Sequence, residues 1–445
     1  MIIIAGVFCI VNSLYIGRVE NQIDARFRAI RDAGEPVSIA DLDAWLGPVT
    51  KENNAAIPLQ EAMDKHQPLT SPKAAILFVN FEYVAKPTEP LTSQMKDATV
   101  ALLQGEQESL LALSEAARLS HCRFPYDHAT GDYARLTPLP DLQRILLAKA
   151  AYEAELGQAN EAFQTLLVGM RVSQACRREP TLLMQIVRMC LHATIVDAIE
   201  QSLNRTTFSP EQLRQLQEEI EKLNTGDRIY TGLLFERCHL IEMFENMVKD
   251  TGGNSLLSGI DLNWSLLALR NRVNERHILK KVDAMIETAR LSPAEALKRA
   301  ESNSEESPTE VARGIPIIRS RMPDSLAANP ELWDQDLPAD LKFQASDSSI
   351  LSCAATGIAL LRYRQEKGAF PTSLGDLTPR YLNEVPVDCM DGKALRYFHD
   401  DGGFTVYSVG ANKNDDKGNL PEEEGVRGGF DDLTFSVRLR AGNGG

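Results

Sequence analysis

ASDSSILSCAATGIALLRYRQEKGAFPTSL, residues 345–374, is the stretch whose reading decides the fold. Within it Ile350, Ala354, Ile358 and Leu361 recur at spacings of four, four and three, with Leu351 and Ala355 beside them, which gives a helix one apolar face. Gly368 ends that helix, and Phe370-Pro371-Thr372-Ser373-Leu374 leads into a short turn. Downstream, residues 395–399, 404–410 and 433–440 have the bias of strands, and the last alternates Leu433, Phe435, Val437 and Leu439 with polar partners. The DDGG run at 400–403 joins the first two as a hairpin. Residues 344–445 are therefore expected to form a small α+β domain, one helix on an antiparallel sheet.

Working back toward the N-terminus, the chain reads as a mainly α-helical body over residues 18–300, an array or bundle, so the whole is multidomain. Helices are expected at 20–33, 53–66, 94–117, 141–156, 159–177, 181–203, 225–250 and 272–290. Several starts carry cap signals: Ser38 ahead of Asp41, Ser209-Pro210 ahead of Gln212, and Ser292-Pro293 ahead of Glu295. No 34-residue period recurs, so a named helical repeat is not indicated. Residues 301–343 turn to Ser, Glu, Pro and Asp and read as the connection between domains, with Trp333 able to dock on the body.

Residues 1–17 begin MIIIAGVFCIVNSLYI, apolar apart from Asn12 and Ser13, and read as a membrane anchor. A helix of that length reaches about 24 Å, short of a bilayer core of roughly 30 Å. No basic segment precedes it and no small-residue cleavage site follows, so an uncleaved anchor fits better than a signal peptide, with the basic flank expected upstream.

A net charge of -15 with few basic clusters excludes a field that gathers nucleic acid. The seven cysteines are scattered singly with no C-x-x-C pair, which argues against zinc. Nucleotide-binding glycine loops, G-x-S-x-G and H-E-x-x-H are all missing.

The run from Ala359 to Asp388 (ALLRYRQEKGAFPTSLGDLTPRYLNEVPVD), then ALRYF, then FTVYSVGANKND, resembles the C-terminal domain of type II secretion major pseudopilins. Its most specific elements are Tyr363, Gly368, Phe370-Pro371 and Leu374, Val385-Pro386-Val387-Asp388, and Tyr407-Ser408-Val409-Gly410. The resemblance spans about a fifth of the chain, and Cys389 stands where the family usually has proline. It implies a Ca²⁺ site in the loop after the last of these motifs, from Asn412, Asp415, Asp416, Asp431 and Asp432, with Asn412 at a position where the family has Asp. A solvated acidic loop, joined by Glu422–Glu424, is the plain alternative.

The helical part is similar to bacterial membrane-anchored proteins that carry CRFP-type and EPTL-type segments, here Cys122-Arg123-Phe124-Pro125 and Glu179-Pro180-Thr181-Leu182. Together these resemblances imply a single-pass protein of the bacterial cell envelope. The bulk would be extracytoplasmic, with a non-enzymatic structural or protein-binding role related to secretion and with protein partners.

The competing reading is a hydrolase with a metal or acid/base site at His121, Asp127, His128 and Asp132. A Pro- and Tyr-rich connector collects such residues as turn formers. Ser93 and Lys96 match S-x-x-K without its companion motifs. His192 sits in an apolar helix, and Glu236, His239, Glu242 and Glu245 share one helix without a second Glu-x-x-His pair elsewhere. No catalytic residue is assigned.

Overall fold

The computed structural model describes residues 2–79, 82–125, 136, 138–224, 228–251, 262–304, 332–418 and 432–439. The chain is mostly helical, with a small three-stranded antiparallel sheet near its C-terminus. Helix α1 (Ile2–Asp32) is followed by α2 (Ile39–Leu46), α3 (Ala56–Lys65) and α4 (Ala74–Leu77). A two-residue hairpin, β1 (Phe78–Val79) and β2 (Glu82–Tyr83), leads to α5 (Ser93–Gly105) and α6 (Gln107–Ala116). Then come α7 (Pro138–Glu155), α8 (Ala159–Ala175), α9 (Leu182–Leu203), α10 (Pro210–Leu223), α11 (Arg228–Thr251), α12 (Leu262–Ala289) and α13 (Pro293–Ser304). The C-terminal part is α14 (Leu332–Lys367) with β3 (Arg396–Asp400), β4 (Gly403–Ser408) and β5 (Leu433–Arg438) in that spatial order.

The cap signals act as their chemistry requires. Ser38 accepts from Asp41 N at 3.1 Å, and Ser209 and Gln212 close a reciprocal box at 3.2 and 2.8 Å. Ser292 and Glu295 do the same for α13. Two expectations differ from what forms, and two short elements were not expected. The helix expected over 94–117 breaks between α5 and α6, where Glu106 leaves helical geometry and turns its carboxylate toward His66. The short α4 and the β1–β2 hairpin had no periodic signal. Helix α14 begins at Leu332, inside the stretch read as a connection, so residues 332–343 lengthen the expected C-terminal helix.

The largest hydrophobic core crosses the expected domain boundary. It joins Phe163 and Leu167 of α8, Ile195 and Ile199 of α9 and Leu216 and Ile220 of α10 to Leu351 and Ile358 of α14 and to Phe404 and Phe435 of the sheet. Gly357 of α14 lies against the Phe435 ring so closely that a Cβ there would overlap it, which is how helix and sheet approach. The outer edge of β5 is closed by side chains of α9. Ser436 N donates to Glu200 Oε1 at 2.8 Å, Arg438 N donates to Asn204 Oδ1 at 2.7 Å, and Asn204 Nδ2 donates to Ser436 O at 2.9 Å. Two side chains thus stand in for a neighbouring strand and satisfy an edge that would otherwise be open.

Helix α9 is, among the described residues, the one helix long and apolar enough to cross a membrane, with mean hydropathy 1.5, yet more than half of that window is buried against its neighbours. Helix α1 changes character along its length. Ile10, Val11, Leu14 and Tyr15 are 44–71% exposed, whereas Val19, Ile23 and Ile30 pack against Ile241 and Leu279.

Candidate functional sites

The motifs of the C-terminal domain converge on Asp388, which has no exposure to water. Its carboxylate accepts from Ser408 Oγ at 2.7 Å, Val409 N at 3.0 Å, Met390 N at 2.9 Å and Arg396 Nη1 at 2.6 Å. Four donors, one of them charged, offset the cost of burying this anion. The V-P-V-D and Y-S-V-G segments are therefore two halves of one polar knot.

Just beyond it the expected calcium residues lie around one turn. Asp415 Oδ1 accepts from Tyr407 OH and Lys417 N, both at 3.0 Å; Asn412 Nδ2 donates to Asp416 at 3.4 Å; and Asp432 Oδ2 accepts from Gly418 N at 2.7 Å. Lys413 and Lys417 adopt positive φ to make the turn. Asp432 is 3% exposed, and its Oδ1 has no hydrogen-bond partner. Burial, with the nearby charges of Asp416 and Asp415, pushes its carboxyl up. The donor set is all oxygen, as a hard cation needs, but among the described residues no three acidic, His or Cys side chains close into a metal-holding group. Asp431 lies outside the described residues.

His121, the described member of the segment proposed for hydrolysis, forms an isolated β-bridge with Asn54. Its Nδ1 lies 3.0 Å from Asn53 Nδ2 and 2.9 Å from Ser120 Oγ, and its carbonyl accepts from Ala55 N at 2.7 Å. Asp127, His128 and Asp132 lie outside the described residues. The next residues reveal something the sequence reading missed: the CRFP and EPTL segments meet. Phe124 N donates to Glu179 Oε2 at 3.1 Å, Asn54 clasps both the N–H and the carbonyl of Arg123 at 2.8 and 2.9 Å, and Thr181 caps α9. Burial pushes the Glu179 carboxyl up to about 7. On the solvent side of Phe124 and Pro125, an open cleft of about 540 Å³ is floored by Ala56, Ile57, Gln60 and Glu61 of α3.

At the far end of α3, His66 is enclosed between two carboxylates, with Nδ1 3.1 Å from Glu106 Oε1 and Nε2 3.7 Å from Asp141 Oδ2. Burial pulls the imidazole pKa down, but Asp141 and Glu106 outweigh it and raise the value to about 9. Both carboxylates are correspondingly lowered. His66 is thus a charged staple joining three elements. No sequence pattern marked it, because its partners are distant along the chain.

The other sequence candidates have structural posts. Lys96 pairs with Glu155 at 3.3 Å, and Ser93 is exposed at the start of α5. His192 pairs with Asp347 of α14 at 3.0 Å in full burial. His239 stacks on Phe235, Glu242 accepts from Ile39 N at 3.1 Å, and burial alone pushes Glu236 up to about 7. Comparison with family models, curated proteins and solved structures finds no match for this chain.

Proposed function

We propose that this chain is a membrane-anchored protein of the bacterial envelope. In this reading its helical body and pseudopilin-like end form one rigid, non-enzymatic scaffold for protein partners, with a tie to secretion that rests on the resemblance. The observation that carries it is the change along α1, where exposed apolar side chains at 10–15 give way to buried ones from Val19 onward. Apolar side chains kept in water are costly unless a lipid phase or a partner covers them. His121, Lys96, His192 and Glu242 are engaged in hydrogen bonds or ion pairs, which supports a structural role. Removing residues 1–16 and fractionating cells tests this: the truncated chain is expected in the soluble fraction, and an unchanged membrane fraction would contradict the anchor.

One observation favours calcium binding as well, the buried Asp432 Oδ1 beside two further carboxylates. In this reading a Ca²⁺ ion closes the 410–418 loop and relieves their repulsion. The full chain then melts several degrees higher at millimolar Ca²⁺, and Asp432→Asn removes the gain. Identical melting with calcium or chelator would retire the site.

A further inference from the structure

The three-stranded sheet has two edges, and α9 finishes one of them. Glu200 and Asn204 satisfy β5, whereas among the described residues no strand pairs with the outer side of β3. The direction of its backbone groups follows from the ladder. Leu439 N donates to Gly402 O at 2.8 Å, and Ser436 N and Arg438 N point at α9, so by alternation Gly403, Thr405 and Tyr407 turn their backbone groups toward β3. Arg396, Phe398 and Asp400 lie opposite them, which directs the N–H and C=O of Tyr397 and His399 outward. Upstream the edge is already occupied, because Leu395 N donates to Pro386 O at 3.1 Å and Val387 bridges Ala394. The open edge is therefore Tyr397 and His399, placed symmetrically about Phe398.

We propose that this edge pairs with the same edge of a second copy of the chain, β3 antiparallel to β3 across a two-fold axis at Phe398. This register sets Tyr397 of each copy opposite His399 of the other, so that every outward residue exchanges hydrogen bonds. An axis at Tyr397 would instead bring His399 against Leu395, whose N–H is already given to Pro386. An axis at His399 would bring Tyr397 against Asp401 in the hairpin turn. On one face of the joined strands Phe398 meets Phe398 at the axis, and Arg396 of each copy stands opposite Asp400 of the other. Asp400 already receives Arg438 and Arg396 already holds Asp391, so pairing extends them into a row of alternating charge, Arg438, Asp400, Arg396 and Asp391. Phe398 is 45% exposed beside the Tyr407 ring, and Asp400 is exposed as well, so the surface to be covered stands in water. This self-complementary charge selects a second copy over an unrelated strand. Because α9 closes the far edge of each sheet, the assembly stops at two and does not grow into a fibre. The paired edge is short, which puts the dimer at the weak, reversible end of specific interfaces. The pairing does not rest on the membrane anchor.

The test uses the full chain in mild detergent, followed by sedimentation from low to high micromolar concentration. The protein mass is expected to double as concentration rises, and hydrogen exchange at the Tyr397 and His399 amides to slow with it. Phe398→Lys and Phe398→Glu are each expected to stay monomeric, because like charges meet at the axis, and an equimolar mixture of the two is expected to dimerise again. A merely local packing role for Phe398 would not produce that rescue. If either variant fails to fold, exchange at the two amides of the unaltered chain decides. A chain that is monomeric at every concentration would overturn the proposal and leave the edge to a strand of another protein. A dimer whose Tyr397 and His399 amides exchange as fast as in the monomer would also overturn it, placing the contact elsewhere, for example on the exposed apolar side chains at 10–15 of α1. A mixture of folded variants that stays monomeric would do the same.

Discussion

Asp388 and His66 are buried charges held by opposite means, and each makes a prediction at the scale of one residue. Asp388 relies on four donors, so Asp388→Ala leaves Ser408 Oγ, Val409 N and Met390 N without their acceptor and Arg396 with Asp391 alone, and should cost on the order of 3 kcal/mol, read from urea denaturation. His66 relies on its own charge. Its folded pKa of about 9 lies above the ordinary 6.5, so its contribution is fully present below pH 6.5 and is lost as pH rises through about 9. Melting curves should show His66→Gln well below the parent at pH 6 and converging with it above pH 9; a constant gap across that range would remove the ion pair from the account. The sequence named Asp388 within a motif but could not say why the motif exists, since Arg396, Ser408 and Val409 reach it only once β3 and β4 are paired. His66 had no signal at all, because nothing local distinguishes a histidine that will meet Glu106 and Asp141.

At the scale of elements, local grammar was legible and tertiary demands were not. Ser38, Ser209 and Ser292 start helices where their caps said, because capping is decided within four residues. The break at Glu106 and the early start of α14 answer to distant partners, a buried histidine in one case and the packing of α14 in the other. The closure of β5 belongs to this scale too. Glu200 and Asn204 lie one helical turn apart on α9, where sequence shows only polar residues at the end of an apolar helix. Replacing both by alanine should cost on the order of 2–4 kcal/mol and speed hydrogen exchange at Ser436 and Arg438 N–H, with slower effects on β3. Unchanged exchange at those two amides would mean that water serves the edge as well as α9 does.

For the whole molecule, sequence separated a helical body from a C-terminal α+β unit, and the elements of both are present. Their independence is what the structure does not display: Leu351 and Ile358 pack with Ile195, Ile199 and Ile220 in one core, and the sheet edge is finished by a helix some 230 residues earlier. An amphipathic helix read alone announces that it has an apolar face, but leaves open whether its own sheet or another helix will cover it. In α14 both do. The most direct measurement is thermal unfolding, followed by near-UV circular dichroism, of residues 344–445 alone beside the full chain. The fragment is expected to show no cooperative transition, since the apolar face of α14 and the β5 edge would stand in water; a fragment that melts cooperatively near the temperature of the full chain would overturn the shared core as the source of its stability.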